Sequence, residues 1–361
     1  MRIGKITENA LKRSVLKQIR TEYKGIESAA VGSDCAFSND KRAFSAICPV
    51  TADISNPGFY AVIKAANSLI AQGIQPDHVT LSILLPADAE EKTLKTIVSD
   101  AIEAARICET TYAGGHTEVT EAVNRAIVTA TAVGYERTVA SKEEGSEAVV
   151  GKAGKKADLE HGVSPKPRAG QDLVITKWIA LEGTAMLAKE KQSELVTRYP
   201  APFIDGAADF RDFLDIRKEA QVIAQLTSKA TSGQNLDADT ATGTGGISVH
   251  DLSSGGVYAA LWEMAERAGC GLRVDLKSIP VKQETIEICE FFEVNPYQLI
   301  SGGSLLIACD DGEKLVESLE EAGIHAAVIG SLKEGNDRII VNDDEERFLE
   351  LPQADEIHKV L

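Results

Sequence analysis

No apolar run in the 361 residues approaches the roughly 18 needed to cross a bilayer, so no membrane partner is indicated. The opening MRIGKITENALKRS lacks the apolar stretch of a secretory signal, and a cytoplasmic protein is expected. Positive charge is scarce: 38 Lys and Arg stand against 55 Asp and Glu, a formal net charge of −17. That balance argues against a nucleic-acid partner, because a phosphate backbone is bound by clustered Lys and Arg. It leaves a nucleotide open, since Mg²⁺ can sit between carboxylates and phosphates. The six cysteines, at 35, 48, 108, 270, 289 and 309, contain no C-x-x-C spacing. They read as small buried hydrophobes in a reducing compartment. Also missing are a GxxxxGK[ST] loop, a GxGxxG after the first strand, a G-x-S-x-G elbow and an HExxH pair.

What is present is the make-up of an ordinary globular protein, 43% hydrophobic and 26% charged, with a length that suggests two domains. Residues 44–50, 79–85 and 126–135 read as strands, the last alternating with a period of two. Between them lie two helices. Asn56 is expected to cap the first, with Pro57 in its first turn, Gly73 at its end, and Phe59, Val62, Ile63, Ala66, Leu69 and Ile70 on its apolar face. Asp88 and Glu91 have capping-box spacing for the second, which turns Leu94, Ile97, Val98, Ala101 and Ile102 inward. Residues 137–168 are charged, rich in Gly and Ser, and end in two prolines, so they read as an exposed linker. Beyond it, 172–179, 272–276 and 304–309 read as strands, and 183–197, 215–230, 256–268 and 313–322 as helices. Residues 231–246 read as a surface loop. The whole is an α/β chain of two domains, 1–136 and 169–361.

Four segments combine glycines or small residues with one or two polar side chains at the ends of regular elements. They are Val31 to Ala36, Pro49 to Asp53, Ala113 to Glu118, and Val249 to Gly256. Backbone N–H groups at a glycine-rich helix start can hold phosphate oxygens, and aspartates at strand ends can bind Mg²⁺. Phosphoryl transfer needs little beyond positioning and charge neutralisation, so this sparse kit suffices. Each segment by itself is commonplace: Gly-Gly is usually a turn, and an Asp beside it usually a cap. His116 alone reads as a surface or hydrogen-bonded histidine. The residues alone give two α/β domains with a candidate Mg-nucleotide site.

Taken in order, the segments resemble the superfamily of aminoimidazole ribonucleotide (AIR) synthetase, which also contains thiamine-monophosphate kinase and the hydrogenase maturation factors. Ile3-Gly4-Lys5-Ile6 before an amphipathic helix is similar to the start of the hydrogenase-maturation branch. Gly32-Ser33-Asp34-Cys35-Ala36 resembles G-E-D-A-A, Thr51-Ala52-Asp53 resembles T-x-D, and Ala66 to Gly73 resembles V-N-D-L-A-A-M-G. Gly114-Gly115-His116-Thr117 is similar to G-G-D-T or G-G-H-T, and the stretch from His250 to Val281 to an H-D-x-T-x-G-G helix start with its following strand.

The resemblance implies a two-domain α/β fold of the AIR-synthetase type, dimerising through the N-terminal sheet, with ATP and Mg²⁺ as cofactors. It implies activation of an oxygen of a small amide, carbamoyl or phosphate-type substrate by phosphoryl transfer or ATP hydrolysis, with other maturation proteins as further partners. A small-molecule kinase and a non-catalytic nucleotide-binding relative are the alternatives. Carried over by motif, Asp34 and Asp53 are metal candidates. Lys5, Asn67, Gly114, Gly115, His116 and Thr117 join them around the nucleotide, while Asp251, Gly255 and Gly256 face the reaction centre. Two departures qualify the match. Ser68 stands where the branch has a metal-binding Asp, and the last cysteine is Cys309, so no acyl carriage on a terminal cysteine is expected.

Overall fold

The computed structural model describes residues 3–136 apart from 25 and 39, then 164–232 and 246–361. Most of the predicted linker and of the predicted 231–246 loop lies outside the described residues. Two sheets organise the rest. The first has the order β1-β2-β5-β3-β4: Ala36–Phe37, Ala43–Val50, Ile127–Tyr135, Pro76–Leu85 and Thr111–Val119. It is antiparallel except for β3 and β4, which run parallel. The second has the order β12-β11-β8-β10-β6-β9-β7. Its strands are β6 (Asp172–Thr176), β7 (Ser248–Asp251), β8 (Gly271–Asp275), β9 (Leu305–Cys309), β10 (Ala326–Lys333), β11 (Arg338–Asn342) and β12 (Glu345–Phe348). β6 and β9 are adjacent interior strands of this sheet and are buried on both faces, which is why they read as unbroken apolar runs.

A short N-terminal pair, α1 (Glu8–Leu11) and α2 (Lys17–Glu22), is joined by a π-helical turn over Lys12–Leu16. Helices α3 (Pro57–Ile70) and α4 (Glu91–Ile107) cover one face of the first sheet. α3 is buried on every side except at Lys64, because the second half of the chain packs against the face that the sheet leaves free. Five longer helices surround the second sheet: α5 (Leu181–Glu190), α8 (Arg217–Ser232), α9 (Gly256–Ala268), α10 (Gln283–Phe291) and α11 (Gly312–Glu321). One apolar cluster runs unbroken from Phe44 and Leu69 to Val249, Leu305 and Ile307, so the halves share a core.

The structure corrects several local expectations. Asn56 stands at the N-cap of α3, but its amide donates to Asp100 Oδ2 at 2.9 Å instead of capping. The N-cap of α4 is Glu90, with no side-chain cap, so Asp88 and Glu91 form no capping box. Ile102 is 37% exposed, and Ala104 and Ala105 take the inward positions. The predicted 183–197 helix breaks at Lys191, where φ is −111°. β4 carries the 113–118 segment that reads as a junction. It escapes the period-two test because it is an exposed edge strand with two glycines.

Within the first half, α3 packs closely against α4. A Cβ at Gly58 would lie 2.2 Å from the Ile97 carbonyl oxygen, which is backbone and cannot swing aside. Gly58→Ala is therefore expected to force the helices apart and cost about 1–3 kcal/mol, as overpacked cores do. Urea unfolding with an unchanged m-value would measure it, and an unaltered midpoint would refute this packing.

Candidate functional site

Chemistry-bearing side chains converge where α3, β7, α9 and the loop before β1 meet. β7 is short and wholly buried, and pairs with β9 so that His250 lies opposite Leu306 and Asp251 opposite Leu305. The strand thus delivers two polar side chains into the seam between the halves. From the other side the 31–35 loop brings Asp34, and α3 with its exit brings Asn67, Ser68 and Gln72.

His250 is the hub. Its Nδ1 lies 2.6 Å from Asp34 Oδ1 and its Nε2 3.1 Å from Glu263 Oε2. Burial works against its charge, but Asp34 and Glu263 outweigh it and carry the imidazole up to about 10. His250 is therefore an imidazolium at neutral pH. Glu263 is drawn down to about 2: burial opposes its charge, while Lys5 and His250 favour it. Lys5 reaches Glu263 from the N-terminal segment, and Glu8 accepts from Trp262 Nε1 at 2.6 Å, so that segment is stitched onto α9. The other oxygen of Asp34 accepts from Gln72 Nε2 at 2.7 Å.

Asp251 lies beside this chain of charges but is not neutralised by it. Its Oδ2 accepts from Ser68 Oγ at 3.0 Å, and its Oδ1 has no hydrogen-bond partner among the described residues. Burial, reinforced by the charge of Asp34, pushes its carboxyl up to about 8. At neutral pH this is a protonated acid within reach of releasing its proton. Asn67 donates to the Leu214 carbonyl at 2.6 Å, and its own carbonyl oxygen is unpartnered among the described residues. Below it, the partly buried Lys64 meets the fully buried Glu182 at Oε1, 3.3 Å away, and Gly302 N donates to Glu182 Oε2 at 3.1 Å.

The remaining residues singled out from the sequence fall elsewhere or play other parts. Asp53 is exposed in the loop after β2, which Ser55 ties to Glu190 at the end of α5. Gly114, Gly115, His116 and Thr117 lie on edge strand β4, with His116 paired to Glu118 at 3.1 Å. A Cβ at Gly115 would sit 1.8 Å from the Leu81 carbonyl oxygen, so this glycine lets two strands approach. Gly255 does not offer a free donor, because its N–H goes to Asp355 Oδ2 at 2.5 Å, and the Gly256 N–H goes to the Ser253 carbonyl at 3.1 Å. Gly256 has φ +64°, and a Cβ there would meet the Tyr297 and Leu299 carbonyl oxygens at 2.6 and 2.7 Å. The pair is thus required by backbone conformation and close packing.

Asp34 has both carboxylate oxygens committed to donors, so a cation there would meet the His250 imidazolium. Asp53 is the exposed carboxylate that suits Mg²⁺, which asks for one or two carboxylates with phosphate oxygens and water. Sequence reasoning missed His250 as a charged hub, as well as Glu263, Gln72, Lys64, Glu182 and Asp355. A signal existed for two of them: Lys64 and Glu182 interrupt otherwise apolar runs (AVIKAA and WIALEG).

The His250 arrangement has a consequence for stability. An imidazole whose pKa rises from 6.5 unfolded to about 10 folded stabilises fully below pH 6.5. That stability is lost as pH rises from 6.5 towards 10, since the unfolded state has already shed its proton. Thermal unfolding should show Tm falling by at least ~3 °C between pH 6.5 and 9.5, with a clearly flatter profile in His250→Gln. Equal slopes in the two proteins would rule out His250 as the buried cation.

Two family profiles match the chain. The N-terminal domain of AIR synthase related proteins matches residues 19–135, and the C-terminal domain matches 168–342. Among curated relatives, a hydrogenase expression/formation protein of Methanocaldococcus jannaschii is 22% identical over 99% of this chain and 97% of its own. The carbamoyl dehydratase HypE of Escherichia coli is 22% identical over 92% of this chain and 86% of its own. Among solved structures, a HypE–HypF complex superposes with a TM-score of 0.69 at 18% identity, covering 94% of this chain and 100% of that one. HypE in complex with ATP gives 0.66 at 15% identity, with 94% and 96% covered. Thiamine monophosphate kinase from Aquifex aeolicus gives 0.60 at 15% identity, with 96% and 99% covered. With both domain profiles matched in order on the two sheets, the chain belongs to the AIR synthase-related family.

Proposed function

We propose that this protein is an ATP- and Mg²⁺-dependent enzyme of the hydrogenase-maturation type, which activates an oxygen of a small amide, carbamoyl or phosphate-type substrate. The observation that carries this reading is the placement of Asp251: buried at the seam of the two halves beside Asp34, with one oxygen unpartnered among the described residues and its carboxyl pushed up to about 8. Structural capping would not require that state, whereas proton transfer during phosphoryl transfer uses it. The relative named carbamoyl dehydratase and the fold shared with an ATP-bound HypE support the cofactor.

In this reading the substrate oxygen bonds to the γ-phosphorus of ATP, the bond from that phosphorus to the bridging oxygen breaks, and ADP leaves with the electron pair. Asp53 would hold the metal, which would supply charge neutralisation on the phosphates. Asn67, with its unpartnered carbonyl oxygen, His116 and Thr117 are the further nucleotide candidates. The His250 imidazolium holds Asp34 and Glu263 in place and so fixes the wall of the seam against which Asp251 sits. Asp251 Oδ1 holds the proton that passes to or from the substrate. Gly255 and Gly256 keep the α9 start closed against Tyr297 to Leu299 and so position Asp251 indirectly. A small-molecule kinase is the second reading, favoured by the shared fold with thiamine monophosphate kinase.

We further propose that the protein is a homodimer through its first sheet and that its partners include another maturation protein, as the HypE–HypF complex suggests. The face of that sheet opposite α3 is left uncovered by the described residues and carries Ile47 at 69% exposed with Tyr135 at 51%. Large apolar side chains exposed together on one sheet face mark an interaction surface. Light scattering should return twice the chain mass, and Ile47→Lys should return the monomer. A monomeric wild type at micromolar concentration would end this proposal.

Asp251→Asn keeps shape and removes the titrating proton, so turnover of ATP is expected to fall by at least ~10²-fold with the circular dichroism unchanged. Asp53→Ala should weaken binding of a non-hydrolysable ATP analogue more in Mg²⁺ than in EDTA. Full turnover in Asp251→Asn, or no turnover by the wild type with any acceptor, would favour a non-catalytic nucleotide-binding relative.

A further inference from the structure

A cleft of about 900 Å³ opens between the N-terminal helices, the Asp34 loop, the 164–166 segment and the last turn of α9. Its lining is basic in a chain whose net charge is −17. Six cations line it: Lys12, Lys17, Arg20, Lys41, Lys166 and Arg267. Its three carboxylates are all spoken for. Glu27 meets Lys41 at 3.2 Å, Glu266 meets Lys12 at 2.6 Å and Arg338 at 2.5 Å, and Asp34 meets His250 at 2.6 Å. Lys17, Arg20, Lys166 and Arg267 are left without a carboxylate partner among the described residues.

Arg267 is the most built of these. Its guanidinium donates to the Val249 carbonyl at 3.1 Å and the Ser164 carbonyl at 2.7 Å. Neutral carbonyls fix its orientation without cancelling its charge, and a guanidinium held this way loses little entropy on meeting an anion. Four cations without a carboxylate contact, of which Arg267 alone feels the charge of nearby Asp34, repel one another around one cavity, and a doubly charged oxyanion relieves that repulsion better than a carboxylate does. The volume suits a metabolite-sized ligand. Asp34 is shared between this cleft and the seam, and its Oδ2 accepts from Asp251 N at 3.4 Å. A molecule in the cleft therefore lies one residue away from the proposed acid.

We propose that this cleft binds the acceptor substrate and that the acceptor carries a phosphate group, seated against Lys17, Lys166 and Arg267. The word acceptor rests on the ATP-dependent reading above; the phosphate site stands on the cleft alone. Inorganic phosphate is the probe, titrated calorimetrically into the full chain at constant ionic strength. The titration is run with and without saturating Mg²⁺ and a non-hydrolysable ATP analogue, in wild type and in Lys17→Ala/Lys166→Ala.

Saturable phosphate binding that persists with the analogue bound, and weakens at least tenfold in the double variant while analogue affinity stays within twofold, is the expected result. Three outcomes would overturn the proposal: no saturable phosphate binding to the wild type, displacement of phosphate by the analogue, or equal loss of both ligands in the double variant. A folded double variant by circular dichroism excludes a trivial loss. If the analogue fails to bind the wild type, the ATP reading falls, while the phosphate titration still decides the cleft.

Discussion

A line of alternating charges, Lys5, Glu263, His250 and Asp34, ties together four pieces of chain that lie far apart in sequence. Of the inner members His250 is buried and Glu263 partly so, and a buried ion stripped of its partner is worth several kcal/mol of penalty. The N-terminal segment, the loop before the first sheet, β7 and α9 can therefore sit together in one arrangement and in few others. Such a chain adds little net stability, because desolvation offsets most of the attraction. Its effect is on geometry. It fixes β7 relative to α3, and so determines which side chains of each half meet.

Asp251 owes its state to the same line. His250 spends its charge on Asp34 and Glu263, and the nearest negative charge to Asp251 is that of Asp34 itself. Ser68 supplies one hydrogen bond, too little to keep a buried carboxylate ionised against burial and a like charge. Two neighbouring aspartates thus behave oppositely. Asp34, with a cation against one oxygen and an amide against the other, is a fixed counter-ion. Asp251, with one oxygen unpartnered among the described residues, has its carboxyl pushed up and is the proposed acid. Divergent environments of this kind separate structural from reactive carboxylates.

Much of the fold was legible because its central elements carry strong local signals. The α3 sequence PGFYAVIKAANSLI could hardly be anything but a buried helix, and β6 and β9 announce themselves as apolar runs. Elements that depend on long-range pairing were not legible. β4 has two glycines, lies exposed at an edge and pairs in parallel, so it shows no period of two. β7 holds His and Asp among only four residues, and reads as strand only once β9 is beside it. For the site, motif order located Asp34, Asn67 and Asp251, but not the partners that determine what each does. Glu263 is one polar residue on a helix with several, and nothing local separates it from Glu266, which instead holds Lys12 and Arg338. The glycine pair at 255–256 shows the reverse error: a composition that suits a phosphate also suits a tight turn, and the occupied N–H groups favour the turn.

The serine at position 68 follows from the same electrostatics. Position 68 points at the Asp251 carboxyl across the seam, with a 3.0 Å contact between the side chains. An aspartate there would put a third carboxyl beside Asp251 and Asp34 in a pocket where His250 is already shared between Asp34 and Glu263. Without a strongly held cation, such a cluster could not ionise together, and its members would take up protons or part. Serine avoids that conflict and donates a hydrogen bond instead. The replacement is therefore compatible with the proposed site, in which Asp53 would be the carboxylate left to hold a metal and the His250 imidazolium balances the carboxylates of the seam.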